Sequence, residues 1–332
     1  MCLGSKDETS GNQSCVATIQ EDGKLTIRLR LPDALVPVFG KHVPISDLFF
    51  KYGHTEILAA LKECQYRNTV QKEKKTASSD YGQAISYRFV RDKKGWRLFA
   101  STAISEPTWE TSTRCGVIGV DINVDHLAVI ETDRFGNPLS KQSIPLQLYG
   151  KDKNQSLAEI GNACAQIIQI AKESKKDLVI EKLDFKTKKA YLKGNTKYRR
   201  MLSSFAYSTI IQHLKSRAFR FGVTLHQVHP AFTSLLGRIK FAKRYGLSIH
   251  QAAALCIARR LFGFSERPPG HLNNIPDDKS GYITLTVPER NRSKHGWTYL
   301  RAINQSLQAV LAAQTRSTLR RSTGPNCCLS TC

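Results

Sequence analysis

Between Gly116 and Thr132 the chain reads GVIGVDINVDHLAVIET, with a carboxylate in the middle of an otherwise apolar run. Val117, Ile118, Val120 and Ile122 have the pattern of a buried strand, where an unpaired carboxylate is costly. Any fold that accepts this stretch must supply Asp121 with a partner. Asn123 and Asp125 follow, then a second apolar run from Leu127 to Ile130. The segment therefore reads as a β-hairpin with a carboxylate aimed off its first strand. Asp121 either caps a backbone group in the turn or belongs to a site completed by residues downstream.

The order of patterns after this hairpin narrows the choice. Strands are expected over 117–123, 126–132 and 138–146, with a tight turn around Gly136, which makes an antiparallel meander. Leu157, Ile160, Cys164, Ile167, Ile168 and Ala171 then recur at three and four residues, one apolar face of a helix over 155–174. Asp177–Glu181 is a fourth strand and 197–221 a second helix. A fifth strand over 223–228 and a last helix over 250–263 complete the series. The order βββαβαβα is that of the ribonuclease H-like fold, an α/β architecture with a mixed sheet and flanking helices.

In that fold the first and fourth strands are neighbours, so Asp121 and Glu181 come together although 60 residues separate them. Taken alone, Glu181 is either a solvated strand end or half of a pair. Two adjacent carboxylates repel unless a cation lies between them, and two hard oxygen donors suit Mg2+ or Mn2+. A third donor is expected from the last helix, which opens SIHQAAALCIARR. His250 stands in its first turn, as a metal ligand or as a helix-start histidine, and the small alanines permit close approach to the sheet.

Ahead of this region, Leu25, Ile27, Leu29 and Leu31 alternate with Thr26, Arg28 and Arg30 after an Asp22-Gly23 turn, which reads as a β-hairpin. A short helix is expected over 55–67, a polar loop over 71–80, and a second hairpin around DKKG at 92–95. The expected organisation is a disordered segment at 1–14, a β-rich domain at 15–113, a ribonuclease H-like domain at 114–270, and an extension with a disordered tail at 271–332. Fifty Lys and Arg against 27 Asp and Glu give a formal charge of +23, the footprint of a partner that carries phosphates. Nine cysteines contain no CxxC pair, so neither a disulfide framework nor zinc is expected. No signal peptide or spanning segment is read, and the expectation is a cytoplasmic, nucleoid-associated protein with no membrane partner.

Four motifs carry a family resemblance. GVDINVDHLAV, LVIEKLDF, YRRMLSSFAYSTIIQHLKSRAFRFGVTLHQVHPAFTS and HQAAALCIARR resemble, in order and spacing, the RuvC-like nuclease domain of the TnpB (OrfB) proteins of insertion sequences. The resemblance covers roughly residues 114 to 265, and the β-rich part before it is similar to the family's RNA-binding barrel. It implies RNA-guided, metal-dependent DNA cleavage, with Asp121 and Glu181 matching the first two members of a D-E-D triad. The chain departs from the family twice: His250 replaces the third Asp, and LLGRIKFAKRYGLSI follows Thr233-Ser234 where the family places a zinc ribbon.

Between Lys182 and Arg220 stand eleven Lys and Arg against one acid, Asp184. Lys186, Lys188, Lys189, Lys197, Arg199, Arg200, Lys215 and Arg217 are read as a phosphate-tracking surface for DNA, with a guide RNA as the implied second partner. Three functions stay open at this point: an RNA-guided endonuclease, a cleavage-dead RNA-guided repressor, and a structure-selective RuvC-like nuclease.

Overall fold

The computed structural model describes residues 1–74, 82–93, 95–104, 106–123, 125–182, 197–264, 266–269, 272–277, 281–286, 289–290, 293 and 295–322, with backbone alone at 70–74, 197–205, 273 and 314–322. The chain divides into two units, Met1–Glu106 and Pro107–Cys332.

In the first unit β1 (Cys15–Ile19) and β2 (Leu25–Arg30) form the expected hairpin, with Ala17 opposite Ile27. A third strand, β3 (His42–Leu48), pairs with β2 and was not foreseen, because Pro44 and Asp47 break its alternation. Helix α1 (His54–Lys74) runs beyond the predicted 67, and residues 75–80 of the predicted loop lie outside the described residues. The second hairpin is β4 (Ile85–Asp92) with β5 (Gly95–Thr102). Leu25, Ile27, Ile57, Leu61, Ile85 and Tyr87 form one core.

The segment 1–14, expected to be disordered, is instead anchored on β4. Cys2 exchanges backbone hydrogen bonds of 2.8 and 2.9 Å with Tyr87. The Asn12 amide donates to the Cys2 and Ile85 carbonyls at 3.1 and 2.9 Å and accepts from the Ser14 and Cys15 N–H groups at 3.0 and 2.9 Å. One buried amide with its donors and acceptor satisfied holds a polar segment that has no apolar pattern of its own.

The second unit is built on a five-stranded sheet. Its strands are β6 (Ser112–Ile122), β7 (His126–Thr132), β8 (Pro138–Pro145), β9 (Lys176–Glu181) and β10 (Leu225–Val228), in the order β10-β9-β6-β7-β8. The first three form an antiparallel meander, and β9 and β10 lie parallel to β6 and to each other. Helices α2 (Lys153–Ser174), α3 (Lys197–Arg220) and α4 (Ile249–Leu261) alternate with the later strands. This strand order is that of the ribonuclease H-like fold. The central parallel strands are covered on both faces, which is why LVI of β9 reads as an unbroken apolar run. On one face Ile118, Val120 and Ile180 pack with Ile160, Ile167 and Leu214 of α2 and α3. On the other, Val117 and Val179 pack with Ile257 and Ala258 of α4.

Two glycines fix the seat of α4. A Cβ on Gly119 of β6 would stand 2.2 Å from the Ala254 carbonyl oxygen, and one on Gly237 would stand 2.6 Å from that of Ala252. The helix therefore packs backbone against backbone, with β6 on one side and a π-helical turn, Gly237–Ala242, on the other. That turn lies in a helical connection over 233–245 that the sequence pattern does not predict. Ser248 caps α4, accepting from the Gln251 N–H at 3.2 Å while the Gln251 side chain accepts from the Ser248 N–H.

At the opposite end of the sheet, Lys176 is 5% exposed, and its Nζ donates to Glu131 Oε1 and the Thr132 carbonyl, both at 2.8 Å. Burial works to raise the Glu131 carboxyl, but hydrogen bonds from Lys176 and Ser140 outweigh it and hold the group below its ordinary range.

C-terminal to the sheet, β11 (Leu272–Pro276), β12 (Tyr282–Leu285) and α5 (Gly296–Ser322) add Leu272, Ile283, Leu300 and Ile303 to a core shared with α4. Residues 323–332 of the expected tail lie outside the described residues. Among the described residues no helix is long and apolar enough to cross a membrane.

Candidate functional site

Parallel pairing sets Val120 of β6 beside Ile180 of β9, so the next register position sets Asp121 beside Glu181. Strand side chains alternate with period two, and Asp121 therefore shares the α4 face with Gly119. The absent side chain at 119 lets α4 descend, and the first turn of that helix arrives over Asp121. Asp121 is 9% exposed, and its Oδ2 accepts from the Asn123 amide at 3.0 Å and lies 3.2 Å from His250 Nδ1. These are the partners that the buried carboxylate required. Glu181 accepts from the Thr233 hydroxyl, and Thr233 is itself buried, with its oxygen 3.1 Å from the Pro230 carbonyl.

His250 is half-exposed. Its hydrogen bond to Asp121 raises its pKa above the ordinary histidine value, against the opposing effect of partial burial. The edge of its ring meets His126 at 4.8 Å, and His126 Nδ1 is 2.8 Å from Asp125 Oδ1. That hydrogen bond pulls the Asp125 carboxyl down. Asp125, His126, His250 and Asp121 thus form a continuous polar row along the edge of the site.

The sequence-predicted residues come together in part. Asp121 and Glu181 occupy adjoining positions, and His250 reaches Asp121. Among the described residues, however, no three His, Cys, Asp or Glu side chains converge as a metal-binding group. The two carboxylates suit a hard divalent cation by their chemistry. The imidazole nitrogen that faces Asp121, Nδ1, is its hydrogen-bond partner, whereas a metal ligand must present a lone pair.

Two residues of the site were missed in the sequence. Tyr207 of α3 has its pKa pushed up to about 12, first by burial and then by the nearby charges of Asp121, Glu181 and Asp125. The available signal was its place on the apolar stripe of α3, three residues before Ile210, where a buried hydroxyl needs a polar neighbour. Arg238, on the π-helical turn, is 8% exposed and opposes protonation of His250. Nothing in its local pattern announced it.

Of the basic surface, Lys186, Lys188 and Lys189 lie outside the described residues, as do the side chains of Lys197, Arg199 and Arg200 on the first turn of α3. Lys215 is exposed and Arg217 half-buried. A groove of about 440 Å3 runs along this end of α3, lined by Gln212, His213, Arg217, Arg220 and Phe221. Burial and the Arg217 charge lower the His213 pKa.

No family model and no curated protein matches the chain. Among solved structures it is similar to T. thermophilus RuvC in complex with a Holliday junction substrate, at 16% identity and a TM-score of 0.33, over 46% of this chain and 98% of that one. It is also similar to a Cas12f1-sgRNA-target DNA complex, at 13% identity and a TM-score of 0.32, over 62% of this chain and 77% of that one. The fold assignment stands on the strand order and pairing of the sheet.

Proposed function

We propose that this chain is a RuvC-like, divalent-metal-dependent DNA endonuclease of the TnpB kind, encoded by a mobile element and directed by a guide RNA. The observation that carries the nuclease reading is the placement of Asp121 and Glu181 at adjoining positions on parallel central strands, with the first turn of α4 over them. Asp121 and Glu181 would hold Mg2+ or Mn2+, with His250 the third group of the site. The cation would supply charge neutralisation at the scissile phosphate and a nucleophilic water. The chain does the rest. Thr233 orients Glu181, Asn123 and His250 orient Asp121, and the basic surface of α3 grips the backbone without reading sequence. The guide, the DNA partner and the mobile-element origin are inferred from the motif resemblance and from the charge of +23.

A second reading is a disarmed, RNA-guided DNA-binding repressor. It is favoured by the hydrogen bond that commits Asp121 to His250. One experiment separates the two: cleavage of single- and double-stranded DNA with co-purified RNA, in Mg2+ and in Mn2+. The nuclease reading expects cutting that Asp121→Asn and Glu181→Gln abolish while nucleic-acid binding persists. Binding without cutting in either metal, with cleavage gained by His250→Asp, would establish the repressor instead.

A further inference from the structure

Beside the carboxylate pair, the larger unit carries a second concavity of about 460 Å3, which opens at the end of β10. Its aromatic wall is Trp297. The His229 ring lies 5.2 Å from the indole at a tilt of 32°, and Phe232 and His295 meet it edge-on at 6.2 and 5.4 Å. Three rings hold the indole in place, yet 48% of Trp297 is exposed. Part of a fixed aromatic surface is therefore open to a ligand.

The charged groups around it fall into two classes. Arg260 is committed, donating to the carbonyls of His229 and Ala231, the latter at 2.8 Å. The lining carboxylate, Glu266, is bound by Lys240 and Arg259. Arg267 and Arg290 also line the cavity, are exposed, and have no ion pair among the described residues. A rigid aromatic plane beside two uncommitted guanidiniums is the combination that takes a base and its phosphate. The volume falls within the range of small-ligand sites.

We infer that this pocket holds one unpaired nucleotide of a nucleic-acid strand, its base stacked on Trp297 and its phosphate between Arg267 and Arg290. The inference rests on the reading of the chain as one that acts on nucleic acid. The topology adds a reason. Val228 is the register partner of Glu181, and His229 follows it directly. Phe232, which touches the indole, precedes Thr233, which binds Glu181. A strand seated in the pocket lies next to the carboxylate pair.

The test is binding of a labelled short oligothymidylate and of a matched duplex to the full chain, by anisotropy in EDTA, so that no cleavage is read. Trp297→Ala should weaken single-strand binding about tenfold or more, Trp297→Phe should largely restore it, and duplex binding should stay unchanged. Arg267→Gln with Arg290→Gln should together flatten the salt dependence for the single strand by about 0.7 unit, the value for one phosphate. Thermal melting of each variant confirms that it is folded. Unchanged single-strand affinity in folded Trp297→Ala overturns the proposal, as does equal loss for duplex and single strand. Thymidine monophosphate that binds as tightly as the oligomer overturns the assignment to a strand. A chain that fails to cut DNA but gives the expected binding pattern loses only the nuclease reading.

Discussion

The seat of α4 can be tested with a single methyl group. In Gly119→Ala the new Cβ would stand 2.2 Å from the Ala254 carbonyl oxygen and 2.9 Å from the Ala258 Cβ. Both atoms belong to packed backbone or to a short rigid side chain, so the helix must retreat by about 1 Å to restore an ordinary contact. Overpacking of this kind costs about 1–3 kcal/mol. The retreat also stretches the His250–Asp121 contact from 3.2 Å to beyond hydrogen-bond range, which removes roughly another 1 kcal/mol after allowance for the half-exposed imidazole. The combined loss of about 2–4 kcal/mol should lower the melting transition of the larger unit by about 5–10 °C. The second readout is the His250 imidazole in a metal-free NMR titration. Its pKa is raised by Asp121 in the parent and should fall back toward the ordinary value in Gly119→Ala. The control is the same substitution on α2. A Cβ on Gly161 would meet only an Arg217 guanidinium nitrogen, at 3.6 Å, and the edge of the His213 ring beyond it, and the added methyl group favours the helix by about 0.5–1 kcal/mol. If Gly119→Ala melts with the parent, or if His250 titrates unchanged, then α4 is not seated by backbone contact and the account of the site is wrong.

Four further outcomes are expected. The Glu131 carboxyl titrates lower in the folded chain than in the unfolded one, so its contribution is complete above the unfolded value and is lost as pH falls through the folded one; Glu131→Gln should flatten the acid side of a stability-versus-pH curve. Lys176→Met should cost about 2–3 kcal/mol at neutral pH by chemical denaturation, since it leaves the Glu131 carboxylate unpaired, and a neutral result would show that the pair contributes little. Replacing Lys215 with Ala should reduce the slope of log affinity against log salt by about one unit uniformly across DNA sequences, whereas a sequence-dependent loss would contradict a backbone-gripping role. Burial pushes the thiols of Cys164 and Cys256 up to about 12, so both should resist alkylation until the chain unfolds, while exposed Cys115 reacts at once; site-resolved mass spectrometry reads all three.

The sheet was legible because its information is local. Short apolar runs bounded by turns give way to period 3.6 at Leu157, and a carboxylate interrupting the apolar pattern of β6 and another ending that of β9 mark the candidate ligands in the order of residues alone. What stayed hidden depends on contacts distant in sequence. The segment 1–14 is held by one asparagine that reaches Ile85. Strand β3 carries Pro44 and a left-handed Asp47, so its pattern looks like loop, and only its pairing with β2 makes it a strand. Gly119 is an ordinary strand glycine until Ala254 is known to press on it. Tyr207 and Arg238 read as one more helix aromatic and one more surface charge, because the carboxylates and imidazole they act on come from other elements.

Helix α4 ties two distant parts of the larger unit together. His250 stands on its first turn and Arg260 on its last, about 15 Å apart along the axis. One end meets Asp121, and the other ties down the 229–231 loop that walls the tryptophan pocket. Between them run Ala252, Ala253 and Ala254, clamped by two glycines, with no long side chain to bend out of the way. A substitution that displaced α4 as a body would therefore move the His250 imidazole and the 229–231 loop together.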